Sequence, residues 1–130
     1  MTANLPLVSL VDDDATVRKA LSRLIRSLAF ECEDFASAEQ FIREGTSSNP
    51  VCVFADYHMP EMTGLDLVIC FCERDLHIPI IIMTGFDEDG LQEKCLGAGA
   101  IDYLLKPLDG PTIASAIHRA QMAKPLKPGW

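Results

Sequence analysis

A chain of 130 residues with 48% hydrophobic and 23% charged content fits one globular domain that buries a core without staples. Its formal charge of -8 argues against independent binding to nucleic acid or to an anionic membrane, since both need a basic face. No apolar stretch is long enough to span a bilayer, and Met1 to Pro6 lacks the cationic start of a secretory leader, so a cytoplasmic setting is expected.

Short apolar runs alternate with segments of helical period, the pattern of a parallel sheet covered by helices on both faces. Leu7 to Val11 is the first run. Val17, Ala20, Leu21, Leu24, Ile25 and Leu28 follow at helical spacing, with Asp14 placed to cap the helix. Phe30 to Phe35 alternates weakly, as an edge strand with one wet face does. Ser37 with Gln40 predicts a capping box on a short helix running to about Arg43. A loop from Gly45 to Pro50 hands over to the run Val51 to Ala55, which ends at Asp56.

A second loop, Met59 to Gly64, precedes Leu65, Val68, Ile69 and Cys72, which form one helical stripe. Ile80 to Met83 is the fourth run, ending at Thr84. The segment from about Asp87 to Leu96 is the weakest predicted helix and the expected most mobile element, because Gly90 interrupts it and its apolar positions are few. Ile101 to Leu105 is the fifth run. The last helix opens at Asp109, Gly110 and Pro111, and Met122 to Trp130 reads as a linker or tail. The five cysteines, Cys32, Cys52, Cys70, Cys72 and Cys95, are expected to be small buried hydrophobes in a reducing compartment, with no metal at Cys70 and Cys72.

Chemistry-bearing residues sit at the carboxyl ends of these runs, where open α/β sheets place ligands: Asp12 and Asp13, Asp56, Thr84 and Lys106. Three carboxylates together repel one another unless a hard dication with oxygen ligands joins them, and Mg2+ suits such a set. Taken alone, Asp12, Asp13 and Asp14 also read as helix capping and solvated charge. Asp56 changes the weighting, because a carboxylate held at a strand end beside a metal is a nucleophile toward phosphorus. Lys106 then supplies a point charge and Thr84 a hydrogen-bond donor. Pro107 holds Lys106 extended, and a cis bond there, the less common isomer, would aim the lysine back over the strand ends.

The order Val11-Asp12-Asp13, Asp56-Tyr57-His58-Met59-Pro60, Thr63-Gly64, Thr84-Gly85, Ala98-Gly99-Ala100 and Lys106-Pro107 resembles the receiver domain of two-component response regulators. Val17-Arg18-Lys19-Ala20-Leu21 and Ala100-Ile101-Asp102-Tyr103 are most similar to receivers of the nitrogen-fixation regulator (FixJ) type. The resemblance covers about residues 5–122 as one receiver domain, with 123–130 as a tail or the start of a linker. It implies an α/β, flavodoxin-like (CheY-like), doubly wound parallel sheet of five strands in the order 2-1-3-4-5, with five helices.

It also implies roles. Asp56 matches the phosphoacceptor, Asp13 a direct Mg2+ ligand, Asp12 its neighbour, and the His58 backbone carbonyl a further ligand. Lys106 matches the phosphate-binding lysine, Thr84 the switch hydroxyl and Tyr103 the aromatic that follows it. His58 and Phe86 flank the phosphoryl group, Phe86 by bulk and His58 by bulk or by positioning water. Gly90 and the acidity of Asp87, Glu88 and Asp89 make the fourth helix unusual for the family. The implied partners are a sensor histidine kinase or phosphotransfer protein, a homodimer through the fourth helix and fifth strand, and a DNA-binding output domain. An aspartyl phosphatase is the rival in chemistry, but it usually carries an acid where this chain has His58. A degenerate, phosphorylation-independent module is the other rival, and retention of Asp12, Asp13, Asp56, Thr84 and Lys106 argues against it.

Overall fold

The computed structural model describes residues 5–123. Its strands are β1 (Leu7–Val11), β2 (Glu31–Phe35), β3 (Cys52–Asp56), β4 (Ile80–Thr84) and β5 (Asp102–Leu105). All neighbours pair in parallel in the order β2-β1-β3-β4-β5. The crossovers contain α1 (Ala15–Ser27), α2 (Ala38–Glu44), α3 (Gly64–Glu73) and α4 (Leu91–Ala98), and α5 (Gly110–Ala123) follows the last strand. The expected fold is the one observed.

β3 and β4 are buried at every position, which is why they read as unbroken apolar runs rather than alternating ones. Their side chains divide between two cores. Val53, Ala55, Ile80 and Ile82 pack with α2, α3 and α4 through Phe41, Leu67, Phe71 and Cys95. Phe54, Ile81 and Met83 pack on the opposite face with α1 and α5 through Leu21, Ile25, Ile113 and Ile117. Phe41 joins β2 to α3 by an edge-to-face contact with Phe35 at 5.2 Å and a stacked contact with Phe71 at 5.9 Å.

Caps set several boundaries. The Asp14 carboxylate accepts from the N–H groups of Thr16 and Val17, as its position predicts. Ser37 accepts from Gln40 N–H, but the Gln40 side chain reaches Ala36 N–H rather than that of Ser37. A full capping box forms instead at Thr63 and Asp66, which sequence reading passed over because Asp is a less usual N3 partner.

Four expectations need correction. α4 starts at Leu91, not near Asp87, because Gly90 takes a left-handed conformation (φ 81°) at the helix entry instead of interrupting the helix. The buried stripe of α3 is Leu67, Val68 and Phe71, while Ile69 and Cys72 are exposed. Cys72 lies at the rim against α4, donating to the Ala98 carbonyl at 3.4 Å, and Cys70 is half-buried, so only Cys32, Cys52 and Cys95 are core hydrophobes. Burial pushes the Cys52 thiol up to about 12, which keeps it protonated. α5 includes Met122 and Ala123, leaving 124–130 of the expected tail outside the described residues.

Gly64 brings the start of α3 close to the end of β3. A Cβ there would lie 2.8 Å from the Asp56 carbonyl oxygen and 2.9 Å from Ile82 Cδ1. Helix propensity favours Ala over Gly by at most about 1 kcal/mol, whereas forcing an atom into a packed backbone contact costs roughly 1–3 kcal/mol. Gly64→Ala is therefore expected to lose stability in urea unfolding; an unchanged or raised midpoint would mean that the β3–α3 loop yields freely.

Candidate functional site

Strand register assembles the site. Val11 lies opposite Ala55, Asp56 opposite Met83, and Thr84 opposite Leu105. Asp12, just past the end of β1, therefore stands beside Asp56, and Lys106, just past β5, emerges at the same edge one strand beyond β4. Ladder-type hydrogen bonds continue there: Asp12 N–H to Phe35 O at 3.1 Å, Tyr57 N–H to Met83 O at 2.8 Å and Lys106 N–H to Thr84 O at 2.8 Å.

Asp12 is fully buried and Asp56 is 6% exposed, whereas Asp13 is open to solvent. Carboxylate oxygens of the three lie within 4.8 Å of one another. Lys106 crosses a cis peptide bond to Pro107 and places Nζ 2.7 Å from Asp12 Oδ2 and 3.5 Å from Asp56 Oδ2. The other Asp12 oxygen accepts from Asp14 N–H at 2.9 Å, and the Asp12 carbonyl accepts from Arg18 Nη1 at 2.7 Å. Neither of these two bonds was read from the sequence.

Burial holds the Asp56 carboxyl above its ordinary range, and the Asp12 charge pushes in the same direction. Lys106 and the His58 backbone N–H oppose that rise without cancelling it. An all-oxygen set with one open carboxylate fits a hard divalent cation, which would relieve the repulsion that Lys106 alone offsets in part. Asp12, Asp13 and Asp56 are the residues that can hold one.

The remaining expected site residues lie at the end of β4, on β5 and on the β3–α3 and β4–α4 loops. Thr84 is fully buried, and its hydroxyl donates to Phe86 O at 3.0 Å while accepting from Phe86 N–H at 3.1 Å, so it bonds to its own loop and not to the acidic group. Tyr103 is 8% exposed and its hydroxyl donates to Asp87 Oδ1 at 2.8 Å. Burial and that carboxylate both raise the phenol above its usual value. His58 Nε2 lies 3.4 Å from Glu88 Oε1, which links the β3–α3 and β4–α4 loops. Phe86 projects into solvent at 67% exposure. The roles of Asp87 and Glu88 escaped sequence reading, which treated the acidic run only as an oddity of the fourth helix.

The family model for the response regulator receiver domain matches residues 8–118. The chain belongs to that family: it is a receiver domain of a two-component response regulator, a signalling domain of FixJ type. It is 34% identical over 125 residues to the response regulator protein TodT of Pseudomonas putida, covering 96% of this chain and 55% of that protein. The transcriptional regulatory protein FixJ of Azorhizobium caulinodans is 33% identical over 129 residues, covering 99% of this chain and 60% of that protein. The chain thus spans little more than half the length of these relatives. The crystal structure of FixJ-N superposes with a TM-score of 0.85 at 28% identity, covering 98% of this chain and all of that one. Among the described residues no helix is long and apolar enough to cross a membrane.

The raised Asp56 carboxyl has a consequence for stability. A carboxyl whose folded value lies above its unfolded one stabilises the fold at low pH, and that contribution is lost as pH rises through the folded value. Asp56→Asn, which resembles the protonated form, is expected to melt higher than the parent near neutral pH in metal-free buffer, with the gap closing in acid. A variant that melts lower at neutral pH would mean that attraction to Lys106 outweighs burial.

Proposed function

We propose that this domain accepts a phosphoryl group on Asp56 from a phosphohistidine of a sensor histidine kinase or an intermediary phosphotransfer protein. The observation that carries this reading is a buried carboxylate at a strand end, 3.5 Å from Lys106 and grouped with Asp12 and Asp13. An Asp56 oxygen attacks phosphorus, the P–N bond to the donor imidazole breaks with its electron pair leaving on nitrogen, and an acyl phosphate forms. Mg2+ held by Asp12, Asp13, Asp56 and the His58 backbone carbonyl would supply neutralisation of the phosphoryl oxygens. Lys106 moves its charge from the carboxylates to a phosphoryl oxygen, which its short reach to both supports.

The signal then travels through the Thr84 hydroxyl, which exchanges the Phe86 carbonyl for a phosphoryl oxygen. Tyr103 leaves Asp87 and fills the space Thr84 vacates, reshaping α4 and β5. That face exposes Leu96 at 40% and Leu105 at 52%, which supports a homodimer through α4 and β5 and contact with a DNA-binding output domain carried elsewhere in the protein. His58 and Phe86 border the approach of water and set the lifetime of the acyl phosphate. The domain binds neither nucleic acid nor membrane and acts in the cytoplasm. It is not an enzyme acting on a separate substrate; its chemistry is self-catalysed transfer and slow hydrolysis. The receiver occupies residues 5–122, with 123–130 as a tail or the start of a linker, and α5 carries its last helix one residue further, to Ala123.

Incubation with acetyl phosphate and Mg2+ is expected to add one phosphoryl group by mass spectrometry. Asp56→Asn should abolish the addition and Lys106→Ala should slow it by roughly a hundredfold. Asp13→Ala should weaken Mg2+ binding in a calorimetric titration far more than Asp14→Ala, because Asp14 is committed to the α1 cap. Undiminished labelling of Asp56→Asn would overturn the assignment.

A further inference from the structure

Helix α1 carries Arg18, Lys19, Arg23 and Arg26 and no acidic side chain, in a chain whose net charge is -8. This arrangement works against the helix. Arg18 and Lys19 lie toward the positive end of its dipole, and Lys19 and Arg23 are like charges one turn apart. Among the described residues none of the four takes part in an ion pair. Two are fixed by main-chain carbonyls instead: Arg18 Nη1 donates to Asp12 O at 2.7 Å and Arg26 Nη2 to Cys32 O at 2.9 Å. Their remaining N–H groups are thus oriented in advance.

These side chains line a groove of about 390 Å³ between α1 and β2, with Ser22 at its base and Asp34 on its far wall. Ser22 is 3% exposed. β2 is the outer strand of the described sheet, so among the described residues no further strand closes the groove on that side.

We propose that the α1–β2 groove binds a short, extended acidic segment of a partner polypeptide, with carboxylates on alternate residues. Lys19 and Arg23, four residues apart, are spaced by about 6 Å along α1, close to the roughly 6.6–6.8 Å between alternate residues of an extended chain. The guanidinium forks match carboxylates in geometry as well as charge. A compact anion would engage one end of this strip and leave the other cations unneutralised. A long polyanion such as nucleic acid would run past this strip onto the exposed carboxylates of Asp13 and Asp14 at the start of α1, and Asp34 on the groove's own wall confines the favourable field to the α1 side and so to a short segment.

The test uses a fluorescent peptide of about eight residues alternating Glu and Ser, with fluorescence anisotropy read against the whole chain at low salt. Lys19→Gln/Arg23→Gln removes two cations that make no described side-chain hydrogen bond, and Lys94→Glu on α4, which lowers the net charge by the same two units, controls for net charge. The proposal expects saturable binding, weakened about tenfold in the double variant and unchanged in Lys94→Glu, with no displacement by millimolar inorganic phosphate. Labelling by acetyl phosphate should be unaffected in the double variant, and its melting temperature should equal or exceed the parent's, since a like-charge pair is removed. Equal affinity across the three proteins would overturn the proposal, as would full displacement by phosphate or tighter binding of an oligothymidylate of matching charge. Self-association of the parent that the double variant loses, without peptide binding, would assign the groove to a second copy of the chain and equally overturn it.

Discussion

Two carboxylates, Asp12 and Asp56, are buried side by side with a single lysine between them, and most of the architecture can be read as what makes that arrangement tolerable. Unpaired burial of either charge would cost several kcal/mol, and pairing with Lys106 offsets part of it. The offset is incomplete. Asp56 remains above its ordinary range, so the site retains an electrostatic demand for one more cation or for conversion of a carboxylate into another group. A structure that leaves such a demand unmet at one edge of its sheet is ready to exchange one charge state for another.

The scaffold keeps the demand from being relieved by movement. Parallel pairing with both faces covered locks each strand in register, because a slip by one residue would turn an entire row of Ile, Val and Phe side chains to the wrong core. Gly64 brings α3 against the Asp56 carbonyl, and the Thr63–Asp66 box fixes where that helix begins. On the other side, the Arg18 bond to Asp12 O and the Asp14 cap tie α1 to the end of β1. By contrast, the Thr84, Tyr103 and Asp87 contacts lie on or against the β4–α4 loop, which is mostly exposed. Rigid support on one side and a locally bonded loop on the other is the division that a two-state output requires.

Sequence reading recovered the parallel sheet and the charged centre because these follow from rules that one chain displays: unbroken apolar runs mark buried parallel strands, and polar residues at their ends must converge; the strand order came from the resemblance to receivers. It failed where the deciding contact is made by a neighbour in space. Ile69 and Cys72 fit a helical stripe, yet the core is reached by Leu67 and Phe71, because the orientation of α3 is set by its contacts with β3 and β4. Gly90 looked like a helix breaker and is an entry residue, a distinction that needs its backbone angles. The Thr84 hydroxyl was read as the donor that turns toward a phosphoryl group, and its bonds to Phe86 within its own loop carry no sequence signal. The Tyr103–Asp87 and His58–Glu88 contacts join loops that no periodicity relates.

The central claim is that Lys106 and Thr84 hold one set of partners while the Asp56 carboxylate is free and another once it carries a phosphoryl group. A crystal structure of the domain with Mg2+ and beryllofluoride tests it most directly. The account predicts beryllium on an Asp56 oxygen, Lys106 Nζ drawn from Asp12 to a fluorine, and the Thr84 hydroxyl turned from the Phe86 carbonyl to another. Beryllofluoride seated on Asp56 with Lys106 still on Asp12 and Thr84 still on Phe86 would contradict it.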